Sequence, residues 1–209
     1  MSTIEHEADH GHDHGHEGES HALPPALVAH QQRRAIMFFI LADAIFFACM
    51  LFSFFYLRAL DVQGGWIPDN GSVVPAWLSW LLAGVMVLGA LAHRSAEAGL
   101  SAGVKSRFQT GALAALVLLV VNIGLMFYQA HTWPIMMSEG SYASVFILMW
   151  GTQLVHVFML LFVALGIWVR GNQGKFDNGN VVHATVAGYF WYWVTATAII
   201  SALTTFFVP

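Results

Sequence analysis

Five long apolar stretches constrain this chain more than any other feature of its sequence. They lie at about residues 35–57, 75–92, 110–130, 143–169 and 181–208. A helix that rises about 1.5 Å per residue needs about 20 apolar residues to cross about 30 Å of hydrocarbon. Each stretch reaches or approaches this length. The sequence therefore predicts an all-α polytopic membrane protein, with a bundle of five transmembrane helices in residues 35–209.

The composition excludes several other classes of protein. Apolar residues make up 57% of the chain and charged residues only 10%, which does not describe a water-soluble surface. The net charge is -4 and no basic stripe is present, so nucleic-acid binding is excluded. The single cysteine, Cys49, lies in an apolar stretch and cannot build a disulfide framework or a cysteine-ligated cluster. Neither GxGxxG nor GxxxxGK[ST] occurs, which excludes the usual nucleotide-binding enzymes.

The first 34 residues differ in kind from the rest of the chain. They hold seven of the 11 histidines and six of the 12 acidic residues. Such a segment has too little apolar surface to fold, so we expect residues 1–34 to be a disordered tail, with no cleaved signal peptide. The tail is either a solvated linker or a weak binder of divalent metal ions. The histidines that would bind such ions alternate with Gly and Asp: His10, His12, His14 and His16.

The distribution of basic residues predicts the orientation of the chain. Seven of the eight lie on the side that holds the N-terminus: Arg33, Arg34, Arg94, Lys105, Arg107, Arg170 and Lys175. The opposite side carries only Arg58. Because basic loops stay on the cytoplasmic side, we expect a cytoplasmic N-terminus and an external C-terminus.

Aromatic and small residues predict how the helices meet lipid and one another. Six aromatic residues near the ends of the spans suit the headgroup layer: Trp66, Trp77, Trp80, Trp133, Trp168 and Tyr142. Gly111 with Ala115, and Ala184 with Gly188, form small-xxx-small pairs that favour close helix contacts. The polar segment HRSAEAGLSAGVKSRFQ, residues 93–109, is predicted to connect two spans.

Asp43 is the first candidate functional residue, because an ionisable side chain inside a bilayer is costly. It lies nine residues past Arg34, about 13 Å into the membrane at helical rise. An ion pair, a proton relay or a neutral acid bonded to a neighbouring helix would each explain it. We expect four phenylalanines to desolvate its carboxyl group: Phe38, Phe39, Phe46 and Phe47.

The fourth span carries a stripe of polar residues. Thr152, Gln153 and His156 are three or four positions apart, so they share one face of a helix, and this face should meet another helix. No second His, Cys or acid stands at helical spacing from His156, so the spans are predicted to hold no metal site. We expect His156 to be an intramembrane hydrogen bonder.

Two segments of the chain resemble a known family in their sequence and layout. The five-span arrangement with a His-rich tail is similar to subunit III of the heme-copper terminal oxidases, in the short quinol-oxidase form that lacks two of seven helices. FILADAIFF resembles the first retained helix, with Asp43 at the position of the family's embedded acid. GLMFYQAHTW is similar to the Gly-x-x-Phe-x-Gln-Ala-x-Glu-Tyr pattern, and it keeps Gln129 but has Thr132 in place of the acid.

Two further segments carry the same resemblance. SYASVFILMWGTQLVHV is similar to the family's Gly-Thr-His-Gly-x-His-Val segment, with Thr152 and His156 matching and Gln153 replacing the first histidine. YFWYWVTATAII resembles the Tyr-Trp-His-Phe-x-Asp motif of the last helix, but Tyr192 and Thr195 stand where His and Asp are expected. The resemblance therefore covers nearly all of residues 35–208 while several of its polar groups are replaced.

The resemblance implies an accessory subunit of a respiratory oxidase. Such a subunit has no catalytic centre of its own, holds neither heme nor copper, and packs beside oxidase subunit I and the other subunits that carry these cofactors. It also binds structural phospholipids. The complex reduces oxygen with electrons from quinol or cytochrome c and couples this to proton translocation, in the inner membrane of a bacterial cell.

The resemblance also implies roles for individual residues, and two other functions stay open. Asp43 is expected to support proton uptake, while hydrogen bonding inside the membrane is expected of four residues: Gln129, Thr152, Gln153 and His156. One alternative is a subunit III-like protein associated with nitric oxide reductase. The other is a small membrane transporter of metal ions or protons.

Overall fold

The chain forms a bundle of five long helices. The computed structural model describes residues 24–62, 64–67, 73–134, 136–176 and 181–206. The helices are α1 (Pro25–Leu60), α2 (Ala76–Ser101), α3 (Lys105–Thr132), α4 (Ser141–Asn172) and α5 (Val182–Phe206), with one 3-10 turn at Met137–Glu139. In these ranges there is no β-strand, and all five helices are long and apolar enough to cross a membrane. The predicted all-α fold with five transmembrane helices is confirmed.

Two helices extend well beyond the spans that the sequence predicts. The first, α1, begins at Pro25, because proline suits the first helical turn, where a backbone N–H has no partner to lose. The last ten residues of the predicted tail are therefore helical, while residues 1–23 lie outside the described part of the chain. In addition, α2 continues to Ser101, so the connection predicted at residues 93–109 shrinks to residues 102–104.

Close packing between α2 and α3 explains why this polar segment stays helical. A Cβ atom added to Gly111 would stand 2.7 Å from the backbone nitrogen of Ala96. The predicted close helix contact at Gly111 is therefore confirmed. The turn itself uses Gly103, whose φ of 68° is in the left-handed region, and the N–H of Val104 donates to the carbonyl of Gly99 at 2.8 Å.

The main core lies between α2, α3, α4 and α5. Trp191, Leu160 and Leu119 are fully buried at its centre. The first helix is different, since only 11% of its most apolar window is buried inside the bundle. It packs on α4 and α5 and leaves large apolar side chains such as Phe38 and Phe52 uncovered, as a surface facing lipid or a partner requires.

Two of the six predicted headgroup aromatics lie inside the protein instead. Trp66 is 7% exposed and Tyr142 is 1% exposed. Their rings pack edge to face at 5.8 Å, and Trp66 makes a similar contact with Phe54 at 5.2 Å. The prediction was wrong for this pair because the chain after α1 folds back over the bundle. Trp77 and Trp80 are exposed, as a headgroup position requires.

Candidate functional site

An aspartate and a histidine meet in the middle of the bundle. Asp43 lies halfway along α1, and His156 lies halfway along α4. A hydrogen bond of 3.1 Å joins the imidazole Nε2 to the carboxyl Oδ1, and the two side chains are only 6% and 13% exposed for His156 and Asp43. The chemistry of the pair is therefore shielded from water and depends on the contact between two distant helices.

The second carboxyl oxygen has a partner on a third helix. The indole Nε1 of Trp193 on α5 donates a hydrogen bond to the Oδ2 of Asp43. An indole has no acceptor, so this oxygen must accept. We call Asp43, His156 and Trp193 the Asp43 cluster. Because its members come from α1, α4 and α5, the cluster ties the least buried helix to the rest of the bundle.

Aromatic rings shelter the Asp43 cluster. Phe190 stands edge-on to His156 at 6.0 Å between ring centroids and to Phe39 at 5.6 Å. Phe47 stands edge-on to Trp193 at 6.3 Å. The polar groups of the cluster therefore sit in a low-dielectric environment, where a hydrogen bond is stronger and an unpaired polar atom costs more than in water.

Only part of the predicted phenylalanine shell surrounds Asp43. Phe39 and Phe47 lie four residues before and after it, on the same face of α1. Phe38 and Phe46 are 70% and 49% exposed, so the prediction that they desolvate the carboxyl was wrong. The aromatic residues of α5 take their place, which the sequence of α1 does not reveal.

The polar stripe on α4 serves two neighbouring helices. The side-chain amide of Gln153 donates to the Val194 carbonyl at 3.3 Å and accepts from the Thr197 hydroxyl at 3.0 Å, both on α5. The hydroxyl of Thr152 bonds within its own helix and lies 3.6 Å from the sulfur of Met50 on α1. The residues of the stripe face other helices, as their spacing predicts. They do not all meet the same helix, because Thr152 contacts α1 and Gln153 contacts α5.

The structure does not bring Gln129 to the Asp43 cluster. Gln129 is 3% exposed and lies in the last turns of α3. It lines a cavity near that end of the bundle, together with Asn122 and Gln153. Its predicted role in intramembrane hydrogen bonding therefore belongs to a different place in the molecule, and it stays a prediction.

A second polar cluster, between α2 and α5, was missed in the sequence. The hydroxyl of Thr185 donates to Glu97 Oε1 at 2.6 Å. His93 is 3% exposed, its Nε2 lies 3.1 Å from the Ala184 carbonyl, and its ring stacks on Trp191 at 5.7 Å. This cluster holds one end of α2 against α5, at the end that lies towards the predicted cytoplasmic side.

The spacing of His93 and Glu97 was the signal that could have found this cluster. The two residues are four positions apart, which places them on one face of a helix. The polar composition of residues 93–109 predicts a connection instead, and in a connection residues four positions apart share no face. The predicted small pair of Ala184 and Gly188 lies against this cluster, since a Cβ on Gly188 would stand 3.5 Å from Glu97 Oε2.

The sequence of this chain is similar to that of a known protein. No protein-family model matches the chain. A curated relative, cytochrome c oxidase subunit 3 of Marchantia polymorpha, is 24% identical over 166 residues. The chain is therefore similar to a subunit III of the heme-copper oxidases. The match covers 78% of this chain, and the chain spans about 63% of the length of that relative. The predicted resemblance is confirmed.

The described part of this chain contains no group of three or more His, Cys, Asp or Glu residues placed to hold a metal ion. The predicted weak metal ligands of the tail, His10, His12, His14 and His16, lie outside the described residues, so that binding stays a prediction.

The Asp43 cluster contains two groups that are able to hold a proton, the carboxyl of Asp43 and the imidazole of His156. A carboxyl and an imidazole in contact can share one, and the aromatic shell keeps bulk water away. The other ring nitrogen of His156, Nδ1, is buried and makes no hydrogen bond within the described residues. The cluster also stabilises the packing of α1, because an intramembrane polar group needs its partners in place.

Proposed function

We propose that this chain is the accessory, non-redox subunit III of a respiratory heme-copper oxidase. Its similarity to a cytochrome c oxidase subunit 3 carries the proposal. The partner subunits hold heme and copper and transfer electrons from quinol or cytochrome c to oxygen, coupled to proton translocation. This chain has no catalytic centre of its own; it stabilises subunit I and supports proton uptake.

The distribution of charge supports a cytoplasmic N-terminus in a bacterial inner membrane. The start of α1, the α2–α3 turn and the α4–α5 connection lie at the same end of an antiparallel bundle, which we call the basic face. Gln109 and Asn172 connect α3 to α4 there at 3.1 Å. Seven of the eight Lys and Arg residues belong to this face, and positive loops stay in the cytoplasm.

The Asp43 cluster supports the two roles that we propose towards subunit I. Its carboxyl group is an ionisable side chain halfway along a helix that is long enough to cross the membrane, and ionisable residues within such helices often belong to proton relays. It also fixes α1, whose uncovered apolar face is available for a partner subunit. A change that breaks the cluster should therefore affect both the proton supply and the contact with subunit I.

A groove between α1, α4 and α5 supports the proposed binding of structural phospholipid. Its volume is about 440 Å³, and its walls are mainly apolar, including Ile36, Met159 and Phe190. Arg170 and His183 line the end towards the basic face. Apolar walls suit an acyl chain, and a cationic rim suits a phosphate group.

Purification of the native complex through an affinity tag on this chain tests the proposal. We expect a heme-containing complex that includes subunit I and consumes oxygen. The chain purified alone should show neither a Soret band nor stoichiometric copper. A complex that reduces nitric oxide instead would favour the alternative reductase. A heme-free assembly of this chain alone, active in ion transport, would overturn the proposal.

A further inference from the structure

A cavity whose mainly apolar wall also carries polar side chains lies between the helices, in the half of the bundle away from the basic face. Its volume is about 60 Å³, and residues from all five helices line it. Nine polar side chains belong to the wall: Ser79, Asn122, Gln129, Tyr142, Trp150, Gln153, Ser201, Thr204 and Thr205. Empty cavities in proteins are lined by apolar groups, so the polar groups in this wall indicate a polar occupant beside them.

The wall is preorganised by contacts within the protein. Asn122 is 1% exposed, and its side-chain amide donates to the Leu82 carbonyl of α2 at 3.0 Å. Gln153 is held on both sides by α5, through Val194 and Thr197. These amides are therefore fixed in place rather than free to turn towards other partners.

Buried polar atoms of the wall have unmet hydrogen-bonding capacity. The indole Nε1 of Trp150 and the hydroxyl of Ser201 are buried, and neither makes a hydrogen bond within the described residues. Both residues line the cavity. Buried polar atoms in proteins nearly always have a partner, and where the protein does not supply one, ordered water does.

We propose that this cavity holds a cluster of ordered water molecules that bridges α2, α3, α4 and α5. A buried water requires about 10–15 Å³ of such volume, so about four would fit. Each needs two to four polar partners, and the wall supplies nine polar side chains. This inference concerns the chain itself and does not depend on the proposed oxidase function.

The water cluster would reach far into the membrane. Its wall extends from Ser79 and Thr205, close to the ends of α2 and α5, to Gln153 near the middle of α4. Gln153 lies one helical turn before His156. The waters would thus hydrate the half of the bundle on one side of the Asp43 cluster, where four helices would otherwise enclose unpaired polar groups.

Isotope exchange of a single thiol tests the proposal in the full chain. In a Cys49→Ser background, Ser201→Cys places the only thiol in the cavity wall. Val145→Cys is the matched control, since Val145 is 6% exposed, lies near the same end of the bundle and does not line the cavity. Infrared spectroscopy in D2O follows conversion of S–H to S–D. We expect exchange at position 201 to be at least about tenfold faster.

Equal slow exchange of the two thiols would overturn the proposal. Ser79→Cys in the same background provides a second cavity thiol if Ser201→Cys does not fold, and it should also exchange faster than the control. A structure at a resolution that shows water gives an independent test. We expect density within hydrogen-bonding distance of Trp150 Nε1 and Ser201 Oγ. An acyl chain in the cavity, or no density at all, would contradict it.

Discussion

Asp43 Oδ1 on α1 and His156 Nε2 on α4 lie 3.1 Å apart at the middle of both helices. Lipid tails are as apolar as the helix surfaces, so apolar burial alone does little to hold helices together in a bilayer. The hydrogen bond between Asp43 and His156 is therefore an important determinant of where α1 packs on α4. Five experiments test this contact and the packing of the helices around it.

Replacing Asp43 with Asn separates the proton role from the structural one. Asn keeps the shape, and its side-chain oxygen can still accept from Trp193, but it cannot bind or release a proton. If Asp43 supports proton uptake, the variant complex should assemble but lose activity faster over repeated turnovers, or slow most at high external pH. Oxygen consumption measured against pH, with time courses, checks this. Unchanged turnover and durability at every pH would contradict the proton role.

Asp43→Leu is the structural counterpart of that experiment. Leucine leaves the polar atoms of His156 and Trp193 without their partner in a low-dielectric site. We expect the free energy of unfolding to fall by about 1–3 kcal/mol, with weaker assembly of the complex. Thermal unfolding of the purified chain measures this loss. Equal stability of the Leu and Asn variants would show that the contact has no structural role.

A double-mutant cycle measures the contact between Asp43 and His156 directly. The single variants are Asp43→Ala and His156→Ala, and the double variant combines them. Because the two side chains touch, their effects on unfolding should not add, and we expect a coupling free energy of about 0.6–1.7 kcal/mol. Unfolding in mixed detergent micelles supplies the four values. Strict additivity would mean that the pair does not hold α1 in place.

Trp193→Phe removes one hydrogen-bond donor and keeps most of the ring. The Oδ2 of Asp43 then loses its partner, so we expect a loss of about 1 kcal/mol in the free energy of unfolding. Trp80→Phe is the matched control, because Trp80 is 42% exposed on α2. Its effect should remain within about 0.5 kcal/mol. A comparable loss in both variants would point to lost ring area instead of the hydrogen bond.

Gly111→Ala tests the close approach of α2 and α3. The added Cβ would stand 2.7 Å from the backbone of Ala96 and 2.9 Å from that of Ala92, so the helices must separate. We expect a loss of about 1–3 kcal/mol. Gly124→Ala on the same helix meets no atom within 4 Å in the described structure and should stabilise the chain by up to about 1 kcal/mol. Thermal unfolding of the purified chain in detergent compares the two; similar effects would contradict the packing.

The sequence by itself determined the number and class of the helices. Apolar length is a local property, and a run such as residues 110–130 must form a helix in a bilayer because its backbone groups need partners. The same reasoning failed at residues 93–109. There, polar side chains indicated a connection, while the glycines that let α2 and α3 approach kept the segment helical.

The tertiary structure alone decided which polar groups meet. The sequence singled out Asp43 and His156 separately, but 113 positions separate them, and nothing local specifies the rotation of α1 against α4. For the same reason the sequence did not reveal Trp193 as a partner of Asp43, and the spacing of His93 and Glu97 marks a polar face of α2 without showing that Thr185 meets it. Helical periodicity reports which residues share a face of one helix. Which face meets which neighbour depends on side-chain packing across the whole bundle.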